Sequence, residues 1–311
     1  MNQPADAAMP DLSLPTELTT LRDFVRWGAS AFARHGLIFA HGTDNALDES
    51  FHLVLWALKL PGDLPATYLE ATLTQAERES VFALLKARIE SRKPAAYLIG
   101  EIQFCGLPFT VDERVLIPRS PIGEMIAQQF QPWLTVEPTR ILDLCTGSGC
   151  IGIACAAHFP EALVDLAELD AGALAVARHN IARHGCGEQV QGYQSDLFDG
   201  LPTDARYELI VSNPPYVPTA EVDALGAEFR HEPRLALEAG ADGMDIVERL
   251  LRAAPHYLTD DGLLVCEIGG SQQEFFARFP DLPVSWPEFE RGGDGVFLIG
   301  RRELLAWTQR R

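Results

Sequence analysis

Four consecutive residues, Asn213-Pro214-Pro215-Tyr216, combine groups able to grip a planar amino group. The two prolines fix φ at about −65° and withhold two backbone donors, so the turn is stiff and its carbonyls are free to accept. Asn213 adds a carbonyl acceptor and an amide donor. Tyr216 adds a ring face that can lie on something flat. The run Leu209-Ile210-Val211 just before them reads as a buried strand, so the group stands at a strand's carboxyl end. For Pro-Pro alone, a turn closing a core strand is the plainer alternative; the flanking Asn and Tyr favour the grip.

A second set begins at Asp143-Leu144-Cys145-Thr146-Gly147-Ser148-Gly149-Cys150-Ile151-Gly152. Glycines let a backbone pass close to a ligand, and a helix starts immediately afterwards. The spacing Gly147-x-Gly149-x-x-Gly152, with Glu168 21 residues after Gly147, satisfies the dinucleotide fingerprint, so a nicotinamide cofactor is one reading. Asp143 tilts against it. A carboxylate there would repel a pyrophosphate and would suit the cationic amino-acid end of S-adenosylmethionine. Glu168 can accept from both ribose hydroxyls of either cofactor. Asp196 can accept from an adenine amino group beside the apolar Leu197 and Phe198. Each acid singly fits a helix cap or a solvated turn; three acids at successive strand ends, facing one crevice, point to a cofactor site. Arg119, after a short strand ended by Pro118, can reach a carboxylate or stack on a base, or is an exposed arginine at a strand end.

These residues need a scaffold that delivers them to one crevice. Apolar runs at Arg140–Leu144, Leu163–Leu169, Val190–Gln194, Tyr207–Val211, Leu263–Ile268, Val284–Phe289 and Val296–Ile299 predict seven strands. Helices fit between most of them, at Cys150–His158, Ala171–His184, Gly243–His256 and Gln272–Phe279. Such alternation predicts an α/β domain around a mostly parallel sheet, covered on both faces, with ligands at the carboxyl ends of its strands. The segment Glu221–Gly243, with Arg230-His231-Glu232-Pro233, is expected to fold over the site, His231 being a structural residue or a proton acceptor.

The first hundred residues read differently. Leu18, Leu21, Val25, Gly28 and Phe32 fall three and four apart, one face of a helix from Glu17 to His35. His41-Gly42-Thr43-Asp44-Asn45 is turn chemistry before a helix from Leu47 to Leu58. Thr74-Gln75-Ala76-Glu77 is a capping box opening a helix with the apolar stripe Phe82, Leu85 and Ile89. No catalytic constellation appears here; a packed bundle and a substrate-recognition domain are both compatible. Glu101–Thr110, broken at Gly106, predicts a hairpin.

The chain's 311 residues, 47% hydrophobic, suffice for two domains. Its net charge is −19; residues 1–115 carry 10 basic and 15 acidic side chains, the remainder 15 and 29. Such a field repels free nucleic acid and attracts basic proteins, so no direct DNA binding is expected. No apolar run approaches the ~20 residues of a membrane span, and the start lacks the basic residues of a secretory signal, which predicts a cytoplasmic protein. The six cysteines (Cys105, Cys145, Cys150, Cys155, Cys186, Cys266) form no Cys-x-x-Cys pair and the eight histidines show no ligand spacing. Buried thiols in a reducing compartment, and no metal, are expected.

Asp143-x-x-Thr146-Gly147-Ser148-Gly149, Glu168, Asp196 and Asn213-Pro214-Pro215-Tyr216 resemble a class I S-adenosylmethionine-dependent methyltransferase. With Ile117-Pro118-Arg119 and the helical N-terminal region, the chain resembles the protein glutamine methyltransferases. Within them it is most similar to the branch acting on large-subunit ribosomal protein number three, through His41–Asn45, Phe104-Cys105-Gly106, Arg119–Glu124 and Cys145–Cys150. The release-factor branch usually has Pro-Arg-x-Glu-Thr-Glu where this chain has Pro118-Arg119-Ser120-Pro121-Ile122-Gly123-Glu124; Glu168 stands where an aspartate is common. The resemblance implies a Rossmann-like, seven-stranded class I domain at 119–311 and a hairpin linker at 95–118. It also implies a helical substrate-recognition domain at 17–94, preceded by a disordered tail at 1–16. It implies S-adenosylmethionine bound by Arg119, Asp143, Cys145, Thr146, Gly147, Ser148, Gly149, Glu168, Asp196, Leu197 and Asn213. Asn213, Pro214, Pro215 and Tyr216 are the implied catalytic set, and a glutamine amide in a basic ribosomal protein the implied acceptor. An adenine amino group would fit the same grip; the acidic composition and the helical N-terminal region count against it.

Overall fold

The computed structural model describes residues 12–290 and 292–310, in two units, Met1–Ile99 and Gly100–Arg311. In the first, Thr20 opens α1 (Leu21–Arg34): its side chain accepts the Asp23 amide while the Asp23 carboxylate accepts the Thr20 amide. That cap starts the helix at Leu21 rather than at Glu17. Asn45 caps α2 (Ala46–Ala57) by accepting the Asp48 amide at 2.9 Å. Thr74 and Glu77 form the capping box of α3 (Gln75–Ser91), and α4 (Ala95–Ile99) follows Pro94. Phe24, Phe32, Leu53, Leu85, Ile89 and Ala95 share one buried cluster, so the helical unit runs to Ile99 instead of ending at 94. Leu12 and Leu14 pack on the same cluster, and the Leu12 and Thr16 carbonyls accept Lys86 Nζ and Arg78 Nη2, both at 3.1 Å. Residues 12–16 are thus held to the helices rather than belonging to a disordered tail; 1–11 lie outside the described residues.

The second unit opens with a hairpin, β1 (Glu101–Phe104) and β2 (Leu107–Thr110), turned by Cys105 and Gly106 at φ +50° and +76°. Positive φ at both turn residues matches the twist of the paired strands. Val115–Ile117 is not a strand. The Ile117 amide donates to the Glu232 side chain at 3.1 Å, which removes it from any ladder. After α5 (Ile122–Ala127) come β3 (Arg140–Leu144), α6 (Cys150–His158), β4 (Leu163–Glu168), α7 (Ala171–Arg183), β5 (Val190–Gln194) and β6 (Tyr207–Ser212). Then follow α8 (Thr219–Ala224), α9 (Asp245–Ala253), β7 (Leu258–Glu267), α10 (Gln272–Arg278), β8 (Val296–Gly300) and α11 (Arg301–Thr308).

The sheet has the order β5-β4-β3-β6-β7-β8, parallel except for β8. Among the described residues it has six strands, one fewer than expected. Across Val284–Phe289 only Ser285 bridges, exchanging 2.9 Å bonds with Leu298. Pro283 and Pro287 have no amide to extend that pairing. The strands read as near-continuous apolar runs because both faces are covered. Ile141, Leu209, Val211, Leu263 and Val265 join one cluster with α6, while Leu142, Leu144, Ile210, Leu264 and Cys266 join the other with α9 and α10. The strand order also brings distant chain segments together. Leu144 pairs with Ser212, so the turn after β3 and the turn after β6 emerge side by side, at the point where the winding reverses.

Candidate active site

At those strand ends lies a cavity of about 380 Å³, bordered by Cys145–Ser148, Glu168, Asp196, Leu197, Asn213, Pro215, Arg119 and the segment Pro233–Glu238. This falls in the roughly 300–1,000 Å³ range of small-molecule sites. Two bordering residues that are not glycine hold left-handed backbone, Cys145 at φ +56° and Leu197 at +51°. Such a conformation costs a side-chain-bearing residue on the order of 1–3 kcal/mol, and it persists where surrounding packing enforces it. Burial pushes the Cys145 and Cys150 thiols up, leaving them neutral rather than nucleophilic.

Asp143 does not reach the cavity wall. It lies fully buried beneath the glycine turn, where Oδ2 accepts the Thr146 hydroxyl at 2.5 Å and the Gly152 amide at 2.9 Å. It therefore holds the turn against α6 and fills the helix N-terminus that a pyrophosphate would need. Burial lifts its carboxyl to about 7, against the two hydrogen bonds that favour the charged form. Among the described residues Oδ1 has no hydrogen-bond partner, and the Ser148 hydroxyl is buried at the cavity wall. Gly149 also lies behind the wall, at φ +82° as the residue before α6.

Glu168 accepts the Gly147 amide at 2.9 Å and the Asp170 amide at 3.0 Å. One carboxylate thereby spans the turns after β3 and β4 and keeps lone pairs for a ligand. Burial pushes its pKa up. Asp196 is ion-paired with Arg249 at 2.9 Å, a partner the sequence did not disclose. The Ser148 hydroxyl, carboxylates with spare lone pairs and apolar Ile151, Leu197 and Ile246 fit a cationic nucleoside.

After β6, Asn213 faces the cavity, and among the described residues its carboxamide has no hydrogen-bond partner. The Pro214 carbonyl accepts no backbone amide there either. Pro214 and Tyr216 stand behind the cavity wall, and Tyr216 donates its hydroxyl to Glu267 Oε1 at 3.3 Å.

Residues 124–242 match the family model described as the methyltransferase small domain. The ribosomal protein uL3 glutamine methyltransferase of Xanthomonas campestris pv. campestris is 49% identical over 94% of this chain and 95% of its own length. The protein of the same name from Xylella fastidiosa is 48% identical over 93% of each. The chain belongs to the ribosomal protein uL3 glutamine methyltransferase family. A solved structure, the hMettl16 catalytic domain in complex with MAT2A 3'UTR hairpin 6, aligns with a TM-score of 0.50 at 14% identity, over 79% of this chain and 90% of that one. At that identity the likeness concerns the fold alone.

In this uL3 glutamine methyltransferase relative, two further acids border the machinery. Glu232 is buried and takes Arg119 in a bidentate pair, at 2.6 and 3.0 Å, while accepting the Ile117 amide. Arg119 thus reaches a carboxylate of its own chain and fastens the segment that walls the cavity. His231, beside it, pairs with Glu113 at 2.9 Å and does not line the cavity. Glu267 ends β7 and accepts both Tyr216 and Ser120. An acid closing the apolar run Leu263–Cys266 is the same signal that singled out Asp143, and it marks Glu267 equally.

Proposed function

We propose that the chain methylates the side-chain amide nitrogen of a glutamine in ribosomal protein uL3, with S-adenosylmethionine as donor. The observation that carries this reading is likeness over nearly the whole chain, 49% and 48% identity, to relatives named for that reaction. Glu168, Ser148, Asp196 and the Cys145–Gly149 turn would hold the donor. When bound there, the donor supplies an electrophilic methyl carbon: the amide nitrogen forms the new N–C bond, the C–S pair stays on sulfur, and one amide proton leaves to water.

The chain's own residues address the difficulty that remains. An amide nitrogen is a poor nucleophile because its lone pair is delocalised into the carbonyl. Asn213 Oδ1 and the Pro214 carbonyl accept the two amide hydrogens, hold the NH2 in place and favour a pyramidal nitrogen. That neither has a hydrogen-bond partner among the described residues supports that role. Tyr216 braces the turn and helps exclude water. No strong base is required, since the proton becomes acidic once the nitrogen carries the methyl group and positive charge. Recognition of the acceptor protein is assigned to the helical unit.

The test offers labelled S-adenosylmethionine with uL3, a peptide-chain release factor and duplex DNA, followed by peptide mass spectrometry. Label on a uL3 glutamine is the expected result. Label on the release factor keeps the chemistry and overturns the acceptor; label on adenine overturns the amide as guest.

A further inference from the structure

Glu267 is an expensive residue for its place. It closes a strand whose preceding residues, Leu263-Leu264-Val265-Cys266, are all buried and apolar, and it is itself only 6% exposed. A carboxylate desolvated this far is tolerated only where donors satisfy it. Two hydroxyls do so, Ser120 Oγ at 2.5 Å on Oε2 and the Tyr216 hydroxyl at 3.3 Å on Oε1. Burial nonetheless pushes its pKa up, with Arg119 and the two hydroxyls opposing the shift.

The geometry around Tyr216 is equally constrained. Ser212 pairs with Cys266, so Glu267 stands beside Asn213 at the ends of neighbouring strands. The ring presses so closely on Gly269 that a Cβ there would come within 2.7 Å of Cε2. The Tyr216 carbonyl accepts Ser271 Oγ at 3.2 Å. One end of Tyr216 is therefore held through its backbone, and the other through its hydroxyl by Glu267. Ser120, the second donor, belongs to the cavity wall beside Arg119.

We propose that Glu267 is a positioning residue for methyl transfer: it fixes the Tyr216 ring, and through it the Asn213-Pro214-Pro215 turn, in the conformation that grips the acceptor amide. The inference rests on the reading of Asn213–Tyr216 as that grip. Without the acceptor oxygen, Tyr216 keeps its ring but loses the hydrogen bond that sets its orientation, and the carbonyls that should meet the amide are less well placed. Removing the Tyr216 hydroxyl removes the same bond from the other side. The two losses should therefore be one loss.

The experiment is a double-mutant cycle on the whole chain with uL3 as acceptor. Tyr216→Phe and Glu267→Ala should each slow single-turnover methylation by about 10- to 100-fold, and the double variant should be no slower than the worse single to within about threefold. Affinity for S-adenosylmethionine should stay unchanged throughout, and Glu267→Gln, which keeps an acceptor oxygen, should recover most of the rate. A second readout needs no cofactor: in protein labelled with 3-fluorotyrosine, the Tyr216 fluorine signal, assigned by its loss in Tyr216→Phe, should move in Glu267→Ala and much less in Ser120→Ala. Losses that multiply in the double variant, or a Tyr216 signal indifferent to Glu267, overturn the inference. Should Glu267→Ala fail to fold, the cycle runs with Glu267→Leu, which keeps the volume and removes the oxygens. Asn213→Ala transferring at the parent rate overturns the grip reading itself; a dead Asn213→Ala beside multiplicative losses overturns only the role of Glu267.

Discussion

Asp143 is pulled in two directions: two hydrogen bonds to Oδ2 favour the carboxylate, and full burial, with no partner for Oδ1 among the described residues, favours the acid. Burial wins, and the carboxyl titrates at about 7 against an ordinary value of 3.8, with Glu168 adding to the rise. Between those values the folded chain holds a proton that the unfolded chain has lost. The stability Asp143 contributes is thus fully present below about pH 4 and is lost as pH rises towards 7. Asp143→Asn never ionises, so its stability should improve relative to the parent by on the order of 2 kcal/mol from about pH 5 to 7, in urea denaturation without cofactor. A difference constant over that range would mean that Asp143 is ionised throughout. Asn213 makes the opposite kind of prediction. Because its carboxamide has no hydrogen-bond partner among the described residues, Asn213→Ala should leave thermal stability and cofactor affinity nearly unchanged while slowing methyl transfer by about 10²- to 10³-fold, the loss typical of one preorganised polar group. Loss of cofactor affinity instead would move Asn213 to the donor's side of the cavity.

At the scale of elements, Gly152 shows why a legible pattern can carry an illegible reason. Its spacing from Gly147 and Gly149 is plain in the sequence and equally suits a dinucleotide turn. In the fold it lets the first turn of α6 lie against β4: a Cβ would sit 2.1 Å from Leu166 Cδ2 and 3.1 Å from the Asp143 carboxylate. Leu166 is fully buried and has nowhere to go. Gly152→Ala should therefore destabilise by about 1–3 kcal/mol, seen as a lowered denaturation midpoint. Gly270→Ala, with open space around it, should change stability by less than about 0.5 kcal/mol; equal midpoints for the two variants would refute the packing account. The main strands and helices were legible because apolar periodicity and glycine turns are local signals. What was not legible lay in long-range pairing. Val284–Phe289 has the composition of a strand but prolines at either side of Ser285 that limit it to one bridge. Glu232 and Glu267 serve Arg119 and Ser120, 113 and 147 residues away, and no local spacing announces such partners.

Across the whole molecule the acidity is uneven. Residues 1–99 carry 9 basic and 12 acidic side chains, and residues 100–311 carry 16 and 32. Several of the cations are already spent on neighbouring acids: Arg278 on Asp242 and Glu248, Arg234 on Asp223 and Glu238, Arg119 on Glu232, Arg249 on Asp196. The catalytic unit therefore projects a negative field that a basic ribosomal protein enters downhill and a polyanion uphill. Steering of this kind acts on encounter and is screened over a Debye length of about 8 Å at physiological salt, whereas the buried hydrogen bonds of the site are screened far less. Raising ionic strength from about 0.05 to 0.5 M should thus lower kcat/KM on intact uL3 by about tenfold or more, and leave kcat at saturating acceptor nearly constant. An uncharged glutamine peptide, lacking the basic surface, should show no such fall. A kcat/KM on uL3 that ignores salt would mean that the charge serves solubility alone and that encounter is set by shape.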